Sequence, residues 1–407
     1  MALVVQKYGG SSAADVEKIK NIARRAIASR EKGDQVVVVI SAMGDTTDDL
    51  VSLAHQFTSQ PDERELDVLL STGEIVSSSL LAIAIKSMGH KAVSLNGWQA
   101  GIQTDAAYSR ARIRAIVPQR IVKELSDGNL VVVAGFQGIA EGTDITTLGR
   151  GGSDTTAVAL AVSLGAEVCH IYTDVEGVYT ADPRIVPQAH RLPEIDYDEM
   201  LEMATYGAKV IHPRAVEIGK LYNMPILVAS SFNNNPGTLI HGGVAMELRN
   251  KARGIAHDLN VAKVTIRGVP DRPGIATALF EPLADAGISV DTIVQNTSVD
   301  GITDLTFTVA RSDLTKASGI VEPIAKSIGA KGCVSASGLG KVSIVGTGMQ
   351  NTPGYAARMF RALYDAGINI ELITTSEIRI TCIIREDKVS DAVRSLHKAF
   401  ELEEVGS

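Results

Sequence analysis

Aromatic residues and basic charge are scarce in this chain of 407 residues. Aromatic side chains make up 4% of it, so it lacks the stacking surfaces that bind single-stranded nucleic acid. Its 39 Lys and Arg are outnumbered by 47 Asp and Glu, which gives a formal charge of −8 and no support for a polyphosphate partner such as DNA. The composition therefore predicts no nucleic-acid partner.

Cysteine is also rare, and long apolar runs are missing. Cys169, Cys333 and Cys382 lie far apart and have no metal-ligand spacing, which is typical of reduced thiols in a cytoplasmic protein. The eight histidines show no metal spacing either. The N-terminus has no cleavage signal, and no run of about 18 apolar residues occurs. We expect no membrane partner and no metal site built by the protein.

The residues that are present suit a large folded protein of two or three domains, with 45% hydrophobic and 21% charged residues. Strand-like runs such as "QVVVVI" alternate with helix-like runs such as Asp15 to Arg30. A further helix is predicted around "ERELDVLLSTGEIVSSS", with a break near Gly73. This alternation predicts a mostly parallel sheet with helices on both faces, and ligand sites beyond the carboxyl ends of its strands.

An internal repeat occupies the C-terminal part. Residues 271–291 match residues 351–371 at a spacing of 80, and each copy predicts a β-α-β-β-α-β unit. The second copy lacks one strand, which residues 253–260 could supply, so the first copy is inserted in the second. We expect domains at 1–245, at 264–339, and at 253–263 plus 340–407.

Two glycine turns before helices carry the candidate chemistry. "KYGGSS" has no Walker spacing, but its glycines let the backbone approach an anion, and Lys7 adds a charge. "LGRGGSDT" adds a second turn with Arg150, a side chain suited to carboxylates, and Ser153 or Asp154 near the helix cap. Each turn alone is more often a structural one. Together they indicate an anionic substrate and a phosphate donor.

These motifs, with "SAMGDTTDDL", "GEIVSSSLLA", "VAGFQG", "YTDVEGVYTADPR" and "GAKVIHPRAVE", resemble the aspartate kinases over essentially the whole chain. The repeat resembles their paired ACT domains. The resemblance implies an amino-acid-kinase αβα sandwich followed by two ferredoxin-like ACT domains. It also implies transfer of the ATP γ-phosphoryl group to the side-chain carboxylate of L-aspartate. The product, 4-phospho-L-aspartate, leads to lysine, threonine and methionine.

The resemblance assigns roles to individual residues. Lys7 would neutralise the transferring phosphoryl group, and Asp154 would hold Lys7 in place. Glu74 would bind the substrate ammonium, and Arg150 its α-carboxylate. The other substrate-binding positions implied are Thr47, Gly151, Gly152 and Ser153. The ATP-binding positions implied are Lys7, Tyr8, Gly9, Gly10, Ser41, Thr173, Asp174, Tyr179, Asp182, Arg184 and Lys209. Mg²⁺ is implied with ATP, held by phosphates and water rather than by a protein cage.

The repeat implies allosteric inhibition by threonine, lysine or both, with threonine favoured for the first copy. The effector positions implied are Asp271, Gly274, Ile275, Ala276, Ser289, Val290, Asp291, Gln295, Tyr355, Ala356, Asn369, Ile370, Ser376 and Glu377. Tyr355 and Ala356 stand where some relatives have a Val-Thr pair, so the second pocket could be altered or empty. The resemblance also implies a homo-oligomer formed through the ACT domains. A short ACT-only subunit starting at Met246 is conceivable.

Two alternatives remain open at this point. Glutamate, acetylglutamate or nucleotide kinases share the N-terminal glycine turn, but are not expected to combine "GRGGSDT" with tandem ACT copies. A catalytically dead amino-acid sensor would need a loss at Lys7, Glu74, Arg150 or Asp154, and all four residues are present.

Overall fold

The computed structural model describes residues 2–243, 252–296, 301–349 and 352–403. Met246, the conceivable internal start, lies outside them. The chain forms two compact units, Met1–Tyr179 with Arg191–Leu248 and Thr180–His190 with Arg249–Ser407. Residues 180–190 therefore leave the first unit and belong to the second.

The first unit consists of alternating strands and helices, as the sequence pattern predicts. Its strands are β1 Leu3–Tyr8, β2 Gln35–Ile40, β3 Ala92–Leu95, β4 Ile102–Thr104, β5 Ile113–Ile116, β6 Leu130–Ala134, β7 Gln137–Ile139, β8 Ile145–Thr147, β9 Val168–Thr173, β10 Glu194–Ile195, β11 Ile226–Ser230 and β12 Thr238–Ile240. Its helices are α1 Val16–Glu31, α2 Thr46–His55, α3 Glu63–Ser87, α4 Gln119–Ser126, α5 Gly152–Leu164, α6 Tyr197–Thr205 and α7 Pro213–Tyr222.

A mostly parallel sheet of eight strands, in the order β10-β12-β11-β9-β1-β2-β6-β3, forms the centre of this unit. Only the β11–β12 pair is antiparallel. On one face, apolar residues of α1 and α3 pack against β1, β2 and β6. Helix α5 packs against β1, β2 and β9, so β2 is buried along nearly its whole length. A second sheet has the order β5-β4-β7-β8.

Helix α3 differs from the expectation at Gly73, because it runs unbroken from Glu63 to Ser87. A Cβ atom at Gly73 would lie 2.9 Å from the Ala42 Cβ atom, so glycine allows a close approach of α3 to the turn after β2. Within the described residues, α3 alone is long and apolar enough by composition to cross a membrane. It carries buried Asp67 and Glu74, however, and half of its apolar window is buried, as in the core helix of a folded domain.

The second unit contains both copies of the repeat. Its elements are β13 Gly254–Pro270, α8 Ile275–Asp285, β14 Val290–Gln295, β15 Ile302–Val309, α9 Leu314–Ser327, β16 Gly332–Val345, α10 Tyr355–Asp365, β17 Leu372–Thr375, β18 Arg379–Arg385 and α11 Val389–Ala399. The six strands form one antiparallel sheet in the order β14-β15-β13-β16-β18-β17.

The long strands β13 and β16 join the two copies into this single sheet. One part of their pairing aligns Gly254 with Val345 and Asp258 with Lys341, and the other aligns Lys263 with Ala336. The register shifts between these parts, near Val261. Two separate apolar clusters lie along the sheet, one for each copy. The segment 180–190 contributes Ala181 and Val186 to the cluster of the second copy.

Candidate active site

The polar turns that the sequence analysis singled out converge at one edge of the central sheet. Strand β1 lies between β2 and β9, and Tyr8 is aligned with Ile40 on one side and Tyr172 on the other. The turns that follow these three parallel strands therefore start side by side. The Ser41 N–H group donates to the Tyr8 carbonyl oxygen at 3.1 Å, which joins two of the turns directly.

Lys7 and Asp154 form an ion pair beside this edge. The Lys7 Nζ atom lies 2.6 Å from the Asp154 Oδ1 atom, and the two side chains are only 12% and 11% exposed. The Asp154 Oδ2 atom accepts a hydrogen bond from the His212 N–H group at 3.1 Å. Asp154 lies in the first turn of α5, so a strand end and a helix start are joined by this pair. Removing one partner would leave the other charge poorly solvated.

Glu74 projects from α3 toward the turn after β2. Its side chain is buried, at 2% exposure, and its Oε1 atom accepts a hydrogen bond from the Ala42 N–H group at 3.1 Å. Its Oε2 atom is buried without a hydrogen-bond partner among the described residues. Burial raises the pKa of this carboxyl to about 7. A buried carboxylate oxygen that no described residue satisfies is suited to a cationic ligand group.

The turn between β8 and α5 presents Arg150 at the surface. Arg150 is exposed, while Ser153, three positions later, is buried. Gly151 has a φ of +70°, and a Cβ atom there would overlap the His212 ring. A Cβ atom at Gly135 would lie 2.8 Å from the Ser153 Oγ atom, so "VAGFQG" packs closely against this turn.

The glycine turn after β1 differs from the expectation in two ways. The Gly9 N–H group lies 3.4 Å from the Tyr172 carbonyl oxygen and is directed to the neighbouring strand. A short 3₁₀ turn, Gly10–Ala13, precedes α1, whose own N-terminus is capped by Asp15. The long helix therefore does not begin at the glycine turn. A Cβ atom at Gly10 would lie 2.9 Å from the Gly44 carbonyl oxygen, so glycine is needed where two turns touch.

Tyr8 is a core residue, which corrects its expected place in a nucleotide pocket. Its side chain is fully buried and stacks on Tyr172, with 4.8 Å between the ring centroids. The Arg25 guanidinium lies over the Tyr172 ring, 4.7 Å from its centroid. The ring of Tyr8 is therefore not available to a ligand.

Other predicted nucleotide residues follow β9. The Thr173 hydroxyl donates to Asp174 at 3.1 Å, and the Tyr179 hydroxyl donates to Glu176 at 3.3 Å. The sequence analysis missed Glu176, which also accepts from the Asn233 amide at 2.8 Å. It missed Ser231 as well, whose N–H group donates to the Thr173 carbonyl oxygen at 2.9 Å. The polar run "SSFNNN" directly after β11 was the available signal.

The remaining predicted positions lie in other segments of the chain. Thr47 is half-buried near the start of α2, and Lys209 is exposed in the loop after α6. Asp182 and Arg184 belong to the second unit, where the Arg184 Nη2 and Asp182 Oδ2 atoms are 2.7 Å apart. Among the described residues, no group of three or more His, Cys, Asp or Glu could hold a metal ion.

The predicted effector residues lie in the second unit. Helices α8 and α10 each follow a left-handed glycine, Gly274 and Gly354, as two equivalent turns. Asp271, Ser289 and Gln295 are exposed, and Asp291 is ion-paired with Lys341. In the second copy, several predicted positions are occupied by packing. The Tyr355 ring stacks on Phe400 at 6.0 Å, and Ala356 and Ile370 pack on the apolar cluster. Gly274 and Ala276 are exposed and Ile275 is buried, whereas Asn369, Ser376 and Glu377 are exposed.

Comparison with family models identifies the two units. Residues 2–230 match the amino acid kinase family, and residues 264–326 and 342–400 each match an ACT domain. The chain is 49% identical to the aspartokinases of Mycolicibacterium smegmatis and Corynebacterium glutamicum, over 99% of this chain and 97% of each relative. It is also 49% identical to the aspartate kinase of Pseudomonas putida, over 99% and 98%.

Solved structures give the same result. Escherichia coli aspartokinase III in complex with aspartate and ADP is 25% identical, with a TM-score of 0.81 over 98% of this chain and 100% of that one. Its complex with lysine and aspartate has a TM-score of 0.75 over 98% and 99%. Aspartate kinase from Synechocystis is 43% identical, with a TM-score of 0.55 over 98% of this chain and 70% of that one.

Proposed function

The chain belongs to the aspartokinase family, and from this premise we propose that it transfers the ATP γ-phosphoryl group to the side-chain carboxylate of L-aspartate. The product is 4-phospho-L-aspartate, the first intermediate toward lysine, threonine and methionine. The main support is the ion pair of Lys7 and Asp154, together with the buried carboxylate of Glu74 at the turn after β2. Phosphoryl transfer needs positioning and charge neutralisation, and this edge of the sheet offers both.

The ammonium and α-carboxylate of the substrate are bound by opposite charges, one on helix α3 and one on the turn before α5. The Glu74 Oε2 atom, which no described residue satisfies, accepts from the substrate ammonium. Arg150 pairs with the α-carboxylate through its two-pronged guanidinium, and Ser153 adds a hydrogen bond. Thr47, Gly151 and Gly152 complete the contacts. Both ends of the α-amino acid are then held while its side chain points toward Lys7.

The phosphoryl group is neutralised by Lys7. The Asp154 Oδ1 atom lies 2.6 Å from the Lys7 Nζ atom, so the charge of Lys7 is oriented before the substrates bind. The residues of the first unit that we assign to the nucleotide are Gly9, Gly10, Ser41, Thr173, Asp174, Tyr179 and Lys209. The complex of the E. coli relative with aspartate and ADP supports this pairing of ligands.

Mg²⁺ accompanies ATP in this proposal. Mg²⁺ commonly keeps several waters and is held mainly by the phosphates of its nucleotide. When bound, the ion would withdraw charge from the phosphate oxygens, and Asp174, one of the proposed nucleotide residues, would be the carboxylate that contacts its waters.

An assay of ATP consumption with aspartate, glutamate, acetylglutamate and UMP in parallel tests the function. We expect turnover with aspartate alone. Turnover with glutamate, acetylglutamate or UMP in its place would point to another member of the amino acid kinase group. Binding of threonine or lysine without any turnover would indicate a sensor.

Aspartate binding should depend on pH through Glu74. Its pKa of about 7 means that the carboxylate form, which binds an ammonium, becomes populated as the pH rises through that value. Since the substrate ammonium stays charged in this range, the aspartate KM should fall about tenfold from about pH 6 to about pH 8. In Glu74→Gln the KM should be high at every pH. A wild-type KM that rises over this interval would contradict the assignment.

Feedback inhibition is proposed through the second unit, by threonine, lysine or both. The N–H groups at the helix starts after Gly274 and Gly354 can donate hydrogen bonds to the carboxylate of an amino acid, and Asp271 offers a negative charge for its ammonium. The lysine complex of the E. coli relative supports an amino-acid effector. The stacking of Tyr355 on Phe400 favours the first copy as the working site. Pairing of ACT domains between subunits would make the enzyme a homo-oligomer. In this proposal one ACT domain spans residues 264–339, and the other spans residues 253–263 plus 340–407.

Gln295→Ala should relieve this inhibition without lowering the uninhibited kcat. Gln295 is exposed at the end of β14, so its loss removes effector contacts and leaves the core intact. The measurement is activity against threonine and lysine, alone and together at millimolar concentration. An unchanged inhibition curve in the variant would rule out the Gln295 contact. A wild-type enzyme insensitive to both amino acids would rule out the feedback proposal.

A further inference from the structure

The turn that carries Arg150 is held by two charged side chains with no assigned role, Asp67 and Arg214. We propose that Asp67 and Arg214 are positioning residues that set the place of Arg150 for the substrate carboxylate. This inference rests on the proposed role of Arg150. Arg150 itself is exposed, so its position depends on how its neighbours are held.

Asp67 holds the turn from the side of α3. Its carboxylate is fully buried and accepts hydrogen bonds from the Thr147 N–H group at 2.8 Å and the Thr147 hydroxyl at 2.6 Å. It also accepts from the Ser109 N–H group, at 3.0 and 2.9 Å to its two oxygens. A buried carboxylate is tolerated only when donors surround it, and these donors come from two segments of the chain.

Arg214 holds the same two segments from the side of α7. Its Nη1 atom donates to the Leu148 carbonyl oxygen at 2.7 Å, and its Nη2 atom donates to the Ala111 carbonyl oxygen at 3.1 Å. The side chain is half-buried. The fixed fork of a guanidinium spans two acceptors at a set separation, which an ammonium cannot do.

The two segments also contact each other between these side chains. The Ala111 N–H group donates to the Thr147 carbonyl oxygen at 2.9 Å. A Cβ atom at Gly149 would lie 2.9 Å from the Ser109 carbonyl oxygen, so the segments touch directly beside Arg150. Ser109 has a φ of +63°, an unfavourable backbone conformation that its surroundings must maintain. The turn is therefore clamped on both sides.

Each clamp connects the turn to another group of the site. Asp67 and Glu74 lie on one helix, about 10 Å apart along its axis at 1.5 Å per residue. Arg214 lies in the first turn of α7, whose capping residue His212 donates its N–H group to Asp154. The clamp thus ties the carboxylate-binding turn to the ammonium-binding Glu74 and to the Lys7–Asp154 pair. Because the side chains of Asp67 and Arg214 contact the carboxylate-binding turn directly, misplacement of that turn should be costly for aspartate.

Steady-state kinetics of Arg214→Met and Asp67→Asn test the proposal. We expect the aspartate KM to rise about tenfold or more in each, because a misplacement of about 1 Å is costly, while the ATP KM stays within about twofold. Arg214→Lys keeps a positively charged donor but loses the fixed fork, so its aspartate KM should lie between those of the wild type and Arg214→Met. Arg120→Met, which removes an exposed arginine of α4, is the matched control and should change neither constant.

A double variant separates positioning from a general structural role. In an Arg150→Ala background, Arg214→Met should raise the aspartate KM no further, since the group it positions is absent. If Asp67→Asn does not fold, Thr147→Val removes one of the hydrogen bonds of Asp67 and should raise the aspartate KM by a smaller factor.

Three results would overturn the inference. One is a loss of thermal stability in Arg214→Met and Thr147→Val with both KM values unchanged. Another is an equal rise of the aspartate and ATP KM values. The third is a full effect of Arg214→Met in the Arg150→Ala background.

If Arg150→Ala itself leaves the aspartate KM unchanged, the proposed role of Arg150 fails, and the clamp as a device for substrate binding fails with it. If Arg150→Ala raises that KM and the clamp variants do not, only the clamp fails.

Discussion

Lys7→Ala should lower turnover by at least about 10²-fold, because it removes the oriented positive charge that neutralises the transferring phosphoryl group. The charge is set in place by Asp154 at 2.6 Å, and neither side chain is more than 12% exposed. Stopped or steady-state assays of ATP consumption at saturating aspartate measure the effect on kcat. Lys20→Ala is the matched control, since the Lys20 side chain is 43% exposed and pairs with Glu17 on the surface of α1.

The loss of activity must be separated from a loss of stability. Lys7→Ala leaves the Asp154 carboxylate without its cation, so the melting temperature should fall. In the double variant Lys7→Ala/Asp154→Ala, both charges are gone, and the melting temperature should partly recover while turnover stays lost. Turnover of the single variant within a few-fold of the wild type would show that Lys7 does not act on the phosphoryl group.

Arg150→Ala should raise the aspartate KM by on the order of 10²-fold, because the two charge-assisted hydrogen bonds of its guanidinium to the α-carboxylate are lost. The ATP KM should stay within about twofold. The melting temperature should also stay close to that of the wild type, because the side chain is exposed. Arg150→Lys keeps the charge and loses the two-pronged geometry of the guanidinium, so its aspartate KM should lie between those of the wild type and Arg150→Ala.

Arg114→Ala is the control for this arginine, since Arg114 is exposed and pairs with exposed Glu141. Initial rates over a matrix of aspartate and ATP concentrations give both KM values for each variant. If Arg150→Ala weakened ATP as much as aspartate, the guanidinium would belong to the nucleotide side. If the aspartate KM of Arg150→Ala equalled that of the wild type, the α-carboxylate of aspartate would be bound by donors other than Arg150.

The alternation of strands and helices in the first unit could be predicted from the sequence. The hydrophobic period of α1 and its cap at Asp15 are local features, and the helix begins one residue after the expected start. The repeat also predicted equivalent helices in the second unit, and α8 and α10 each follow a left-handed glycine. The turn residues of the candidate site were recognisable because glycine, lysine and arginine stand next to each other in the chain.

Contacts between distant segments could not be predicted in this way. Asp67 and Thr147 are 80 positions apart, and Arg214 and Ala111 are 103 apart. In the sequence, Asp67 is one polar residue within a largely apolar helix, and Arg214 is one residue of "GAKVIHPRAVE", and neither position indicates a role. Only the packing of α3 and α7 around the turn brings these side chains to their acceptors and donors.

The sequence by itself determined which elements form and which turns carry charge, because both depend on residues within a few positions of each other. The tertiary structure alone decided which of those groups are buried. It put Tyr8 in the core against Tyr172, directed the Gly9 N–H group to a neighbouring strand, and enclosed Glu74 so that its pKa rises to about 7. The reason is that desolvation and hydrogen-bond geometry depend on sheet order and helix packing, and local periodicity carries no information on either.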